Sequence, residues 1–468
     1  MLNPSASLLL AHFSDLHYST GHLAEADRCF GFAVDHAIAA GSRVGVVSGD
    51  STDHRLDAHT PALRVLAERI RQLSDHMPVV MLQGTFSHEP PGTLDLFRLV
   101  GSRYPVYIAD RIHQVALHEG SFAASAGALF TPVEIEALLA SGMPEVVFTC
   151  VPTVNKAMLA AAVGTSDAAT ALGDHLAAYL YAAGTVNRSL RARGIRTMGI
   201  SHGTVNGCQT EHGVPMAGFD HEFTIGTLFD AECDGFMLGH IHRAQQWDRE
   251  GRLVAYPGSI GRFHYGEIGD KTYLQWRVAP GQAETTPVVT PARETLCFDF
   301  DGPPDMAQLA RVAAEAADKF VRIRWVVDEE HRQVVDRDAI GALFAGAAEV
   351  KLEGRVLPAV RSRAEGISRA ASLSEKIMRW GELTQVDTNP LLDRLSMLEH
   401  AEPQAIADLV LQQFECVEEP PLAVGPPKHA EPVAAVMPAP TPPVMLKPSA
   451  PLTAMDWLSE DLFAEVVA

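Results

Sequence analysis

Short apolar runs alternate with amphipathic stretches along roughly the first 280 residues of the chain. Ser7 to Phe13 reads as a strand that stops at Asp15-Leu16-His17. A helix follows from about His22 to Ala40, with Leu23, Phe30, Val34 and Ile38 on one stripe and Gly41 closing it. Val44 to Ser48 is a second strand, running into Gly49-Asp50, and a helix from about Ala62 to Leu73 leads to a third, Val79 to Leu82. That strand ends in Gly84-Thr85-Phe86-Ser87-His88-Glu89. Alternating strands and helices predict an α/β fold with a mostly parallel sheet covered by helices.

The pattern continues with a helix near Leu94 to Val100, strands near Val106, Ala116 and Val146 to Phe148, and a long helix from about Ala168 to Arg191. The face of that helix around Leu176, Leu180 and Tyr181 is expected in the core. Strands then run into Ser201-His202-Gly203 and Gly239-His240-Ile241-His242, and a last one covers Thr272 to Val278. Pro280 to Pro291, rich in proline, threonine and glutamate, reads as a linker. The expected organisation is a catalytic domain over 1–290, a small α+β domain over 295–360, a helical segment over 361–415, a Pro/Ala-rich disordered linker over 416–451 and a terminal motif over 452–468. The helical segment opens with Arg361, Arg363, Arg369, Lys376 and Arg379, a surface for nucleic acid or an acidic partner, or a solvated face. In the terminal motif Met455, Leu458 and Leu462 share a helical face beside Trp457, a tethered hook for a protein partner not identified by sequence.

Charge narrows the partners. A net charge of −21 argues against a general polyanion-binding surface, though bound divalent cations can reverse the local sign of a carboxylate-lined site. The six cysteines are scattered without close pairs, which fits a reducing cytosol, so a cytoplasmic location is expected. No leader-like segment and no apolar stretch near the roughly 18 to 20 residues of a membrane span is visible, so no membrane association is expected.

The strand ends carry the chemistry: Asp15, His17, Asp50, His88, His202, His240 and His242. Ligands bind at the carboxyl edge of open α/β sheets, and mixed carboxylate and imidazole donors suit manganese, iron or zinc. Asp50 could bridge two cations about 3.5 to 4 Å apart, the spacing of two-metal hydrolytic sites.

In order and rough spacing these residues resemble the calcineurin-like metallophosphoesterases, and within them the SbcD-type DNA repair exonucleases. The finer likeness lies in His202-Gly203-Thr204-Val205-Asn206-Gly207, in Leu238 to Arg243, and in Tyr256-Pro257-Gly258-Ser259 followed by Gly266-Glu267 and Lys271. The resemblance implies a β-sandwich flanked by helices, a DNA-capping α+β domain, and helices that dock an SbcC-type ABC ATPase. It also implies two divalent metal ions, most simply Mn²⁺, and metal-dependent exonuclease or endonuclease cleavage of DNA in repair or recombination; a homodimer is compatible with it. Asp15, His17, Asp50 and His242 would surround one metal, and Asp50, His202 and His240 the other. His88 would be the catalytic histidine, oriented by Glu89.

The chain departs from the family in its third motif, where Gly-Asn-His-Asp or Gly-Asn-His-Glu is expected and Thr85-Phe86-Ser87 separates Gly84 from His88. Ser87 is the best positional substitute for the asparagine ligand and Thr85 the next. The alternatives are a phosphodiesterase for a small substrate such as a cyclic nucleotide, and a scaffold that keeps the fold with weak catalysis.

Overall fold

The structure, a computed structural model, describes residues 7–54, 56–57, 59–154, 165–212, 223–358 and 367–415. They divide into two units, one within 7–327 and 333–355, the other within 328–332 and 356–415.

In the first unit, β1 (Leu8–Phe13) feeds two cores at once because its side chains alternate. Leu8 and Leu10 enter one, Ala11 and Phe13 the other. α1 (Leu23–Ala39) keeps Cys29, Phe30, Ala33, Val34 and Ala37 on a buried stripe. After β2 (Val44–Val47), α2 (Pro61–Ser74) begins with proline, whose missing N–H costs nothing at a helix start, and buries Leu66, Ile70 and Leu73. β3 (Val79–Leu82) and β4 (Val106–Ala109) complete a parallel run in the order β1-β2-β3-β4. Between them the helix expected near Leu94 to Val100 is a 3₁₀ helix, Thr93–Leu99, directly after a left-handed Gly92.

The chain then builds β5 (His113–His118), β6 (Ser121–Ala124), α3 (Pro132–Ser141), β7 (Val146–Val151), α4 (Thr165–Ala192) and β8 (Thr197–His202). Next come α5 (Ile225–Asp230), β9 (Gly235–Gly239), β10 (Gln245–Arg249) and β11 (Arg252–Tyr256). These strands form a second sheet in the order β10-β11-β9-β8-β7-β5-β6. β12 (Thr272–Ala279) and β13 (Gln282–Val289) return to the first, giving β13-β12-β1-β2-β3-β4. The single mostly parallel sheet read from the pattern is therefore two mixed sheets, and the sandwich implied by the resemblance is the fold. Leu10, Val46, Leu82, Phe148, Ile200, Met237 and Trp276 fill the space between the sheets. Burying a side chain of this size contributes about 1.5 to 3 kcal/mol.

Two expectations need correction. Pro280 to Pro291 is mostly strand, not linker: Gly281 turns the chain and β13 pairs antiparallel with β12, with Pro287 tolerated on an edge strand. In α4, Leu176 and Leu180 pack into the outer core with Phe229, Phe236 and Leu238, while Tyr181, one step round the helix, is exposed.

β14 (Thr295–Asp301), α6 (Met306–Val312), β15 (Phe320–Asp328), α7 (Arg337–Leu343) and β16 (Glu349–Leu357) form a three-stranded sheet in that strand order. Its own core gathers Leu309, Val321, Ile323, Trp325, Ile340 and Phe344. Arg293 ties Glu25 of α1 to Asp318, donating to both carboxylates at 2.8 Å.

The second unit carries α8 (Leu373–Thr384), α9 (Asn389–His400) and α10 (Pro403–Glu415). Within α8, Arg379 pairs with Glu375 at 2.9 Å. Arg361, Arg363, the linker 416–451 and the motif 452–468 lie outside the described residues. Among the described residues no helix is long and apolar enough to cross a membrane.

Candidate metal centre

Five strands of the two sheets, β1, β2, β3, β8 and β9, end at one place. Just past the ends of β1, β2 and β9 the chain turns sharply: Asp15, His17, Asp50 and His240 all have positive φ, of 51°, 46°, 50° and 99°. Non-glycine residues pay about 1 to 3 kcal/mol for such conformations, and here long-range bonds hold them. The Asp15 N–H donates to the Gly49 carbonyl and the His17 N–H to the Asp50 carbonyl, both at 3.1 Å. The His240 N–H donates to the Asp15 carboxylate at 3.1 Å. Gly49, itself at φ 104°, cannot carry a side chain, since a Cβ would lie 2.2 Å from His202 Nδ1. At Gly239 a Cβ would lie 2.3 Å from the Ser48 carbonyl, so the two sheets approach only because this position is bare.

The predicted ligands gather into two groups, Asp15 with His17 and His242, and Asp50 with His202 and His240. In the first, His17 Nε2 and His242 Nε2 point at one another across 2.9 Å, and Asp15 Oδ1 lies 4.0 and 3.9 Å from them. In the second, His202 Nε2 is 3.2 Å from Asp50 Oδ2.

Two of these rings, those of His202 and His242, are oriented by their other nitrogen. His202 Nδ1 donates to the Ser48 carbonyl at 2.7 Å, and His242 Nδ1 donates to Glu267 at 3.2 Å. Both leave Nε2 facing the cluster, which is how a ligating imidazole is held. Converging nitrogens and carboxylates of this kind fit a divalent transition metal in each group.

The charges in the cluster compensate one another. Burial works against an imidazolium at His202, yet the Asp50 carboxylate beside it, with Asp15 and the Ser48 carbonyl, pushes it up to about 10. Burial and the neighbouring His242 push His17 down to about 3. Burial favours the neutral form of Asp15, but His202 and His242 hold it below the usual carboxylate range.

His88 stands beside this cluster, its ring 5.0 Å from that of His17. The residue that orients it is not Glu89. Asp53 Oδ1 accepts from His88 Nδ1 at 2.9 Å, and that bond raises the His88 pKa above its ordinary value. Glu89 points the other way, fully buried, and accepts from the Gly84 N–H at 2.7 Å and the Ser51 N–H at 2.5 Å. It staples the loops after β2 and β3 together. Burial and the nearby Asp50 push its carboxyl up to about 7.

The substitute for the missing asparagine also changes. Ser87 is exposed in the turn, whereas Thr85 Oγ1 lies 3.2 Å from both Asp50 Oδ2 and His202 Nε2. The Thr85 N–H also donates to Asp50 Oδ1 at 2.7 Å. Thr85, the second choice from sequence, is therefore the hydroxyl that lies against Asp50 and His202. Asp53 was missed although its signal, a second carboxylate three residues after Asp50, was there to find.

No family model matches the chain. Over 84 residues it is 36% identical to "Uncharacterized metallophosphoesterase YhaO" of Bacillus subtilis, a stretch that is 18% of this chain and 19% of that protein. Among solved structures it is similar to GAP50, "the anchor in the inner membrane complex of Plasmodium", at a TM-score of 0.37 and 12% identity over 61% of this chain and 85% of that one. It is also similar to a dimetal phosphatase from Danio rerio, at 0.36 and 12% identity over 61% and 99%. Over the matched stretch the chain is thus similar to a metallophosphoesterase, and its paired donor groups are of a kind that could hold metal ions.

Proposed function

We propose that this protein is a metal-dependent phosphodiesterase that cleaves DNA, working with Mn²⁺ as the nuclease subunit of a complex with an SbcC-type ABC ATPase. The observation that carries the hydrolase reading is the pair of donor groups, Asp15, His17 and His242 beside Asp50, His202 and His240, with His88 at their edge. Bound divalent cations supply an acidified water and neutralise phosphoryl oxygens. The chain does the rest. Asp15, His17 and His242 hold one cation, and Asp50 with His202 and His240 the other, assisted by Thr85 Oγ1. Asp53 fixes the proton on His88 Nδ1, so Nε2 is the atom that protonates the departing oxygen.

DNA as substrate is supported by the sequence resemblance and by the three-stranded sheet with its own core and the helices after it, which a small-molecule enzyme does not need. The net charge of −21 favours a partner that supplies cationic surface. The test combines metal analysis with Mn²⁺-dependent assays on duplex DNA, single-stranded DNA and a chromogenic phosphodiester, with and without the ATPase. We expect chelator-sensitive DNA cleavage that the ATPase enhances. Hydrolysis of the chromogenic ester or a cyclic nucleotide without any DNA cleavage would replace the DNA reading by the small-substrate one.

A further inference from the structure

We infer that Glu267 and Lys271 form a buried positioning pair that holds His242 by ring and backbone at once and sets the metal affinity of its group. This rests on the reading of Asp15, His17 and His242 as ligands. Glu267 is 3% exposed and Lys271 2%. Glu267 Oε1 accepts from His242 Nδ1 and from the His264 N–H, both at 3.2 Å. Lys271 Nζ lies against the Glu267 carboxylate and donates to the His242 carbonyl at 3.0 Å and to Ser259 Oγ at 2.8 Å.

A buried ion pair is a poor device for stability, because desolvating two charges offsets most of their attraction. Two apolar side chains of the same volume would serve the core as well. What they could not do is fix one imidazole from both ends. Nor would they sharpen its donor strength, since an imidazole that donates to a carboxylate is a stronger metal ligand than one that donates to a neutral acceptor. The contrast lies inside the same centre: His202 leans on the neutral Ser48 carbonyl and His242 on a carboxylate. The group holding His242 is therefore the one tuned for tight binding, and the Glu267 and Lys271 pair tunes it.

The experiment titrates the full chain with Co²⁺, reading both affinity and the visible absorption of each bound ion. Wild type is compared with Lys271→Met and with the neutral double variant Glu267→Gln/Lys271→Met, which preserves side-chain volume if a lone buried carboxylate prevents folding. Repeating the double variant on His240→Ala isolates the ion held by His242. We expect that ion to lose affinity by about 10- to 100-fold and to change its spectrum, with the other ion unaffected. Unchanged affinity and spectrum in a wild type that takes up two ions would overturn this inference alone, whatever the melting temperature does. A wild type that takes up no Co²⁺ would overturn it together with the metal-site reading.

Discussion

Replacing Asp53 by asparagine removes one charge and leaves the shape of the site almost untouched. The bond it weakens is the 2.9 Å contact from His88 Nδ1, between side chains that are 27% and 21% exposed. A hydrogen bond to a charged partner contributes about 1.5 to 3 kcal/mol, and partial exposure places this one near the lower end. At 1.4 kcal/mol per tenfold, kcat should fall by roughly 10- to 30-fold. The pH profile adds a second reading. Because Asp53 raises the His88 pKa, the protonated imidazole persists to higher pH in the wild type, so Asp53→Asn should shift the alkaline limb to lower pH. The assay is steady-state hydrolysis of a chromogenic phosphodiester across pH, with metal content measured on the same preparations. Wild-type kcat with an unmoved alkaline limb would refute the reasoning. A kcat loss matched by loss of metal would do so too, by making Asp53 a ligand.

His88→Ala should lower kcat by about 10²- to 10⁴-fold, the usual worth of a general acid, with metal content retained by plasma emission analysis. Thr85→Asn should tighten the metal held by Asp50, His202 and His240 in calorimetric titration, because an amide carbonyl replaces a hydroxyl beside Asp50 and His202, and Ser87→Asn should change nothing. Glu89→Ala leaves the buried Ser51 and Gly84 N–H groups without their acceptor and should cost about 2 to 4 kcal/mol in denaturant unfolding. Gly239→Ala should abolish two-metal binding or folding, since its Cβ would meet the Ser48 carbonyl.

The strand ends were legible because each is a local event. An apolar run closes, a polar donor follows within two or three residues, and this happens at Asp15, Asp50, His202 and His240 whatever the sheets do. The helices α1 and α2 were equally readable, since their buried stripes repeat at helical spacing over several turns. Harder to read were β10, whose Gln245-Gln246-Trp247-Asp248-Arg249 run is almost wholly polar, β11, only five residues long, and β13, whose prolines and threonines imitate a linker until β12 supplies its partner. The pattern also could not divide the strands between two sheets, because strands buried on both faces look alike in either.

Inside the site the same boundary applies. Sequence determined which residue types crowd this edge, and that they are donors suited to divalent cations. Only tertiary structure decided their partners. Glu89 adjoins His88 in the chain yet turns to cross-link two loops, while Asp53, from the loop after another strand, reaches the imidazole. Ser87 stands nearer the expected register, yet the turn over Thr85 to Glu89 carries it outward and lays Thr85 against Asp50. Which side chain meets which is set by how strand ends from two sheets approach in space, and spacing along one chain does not encode that distance.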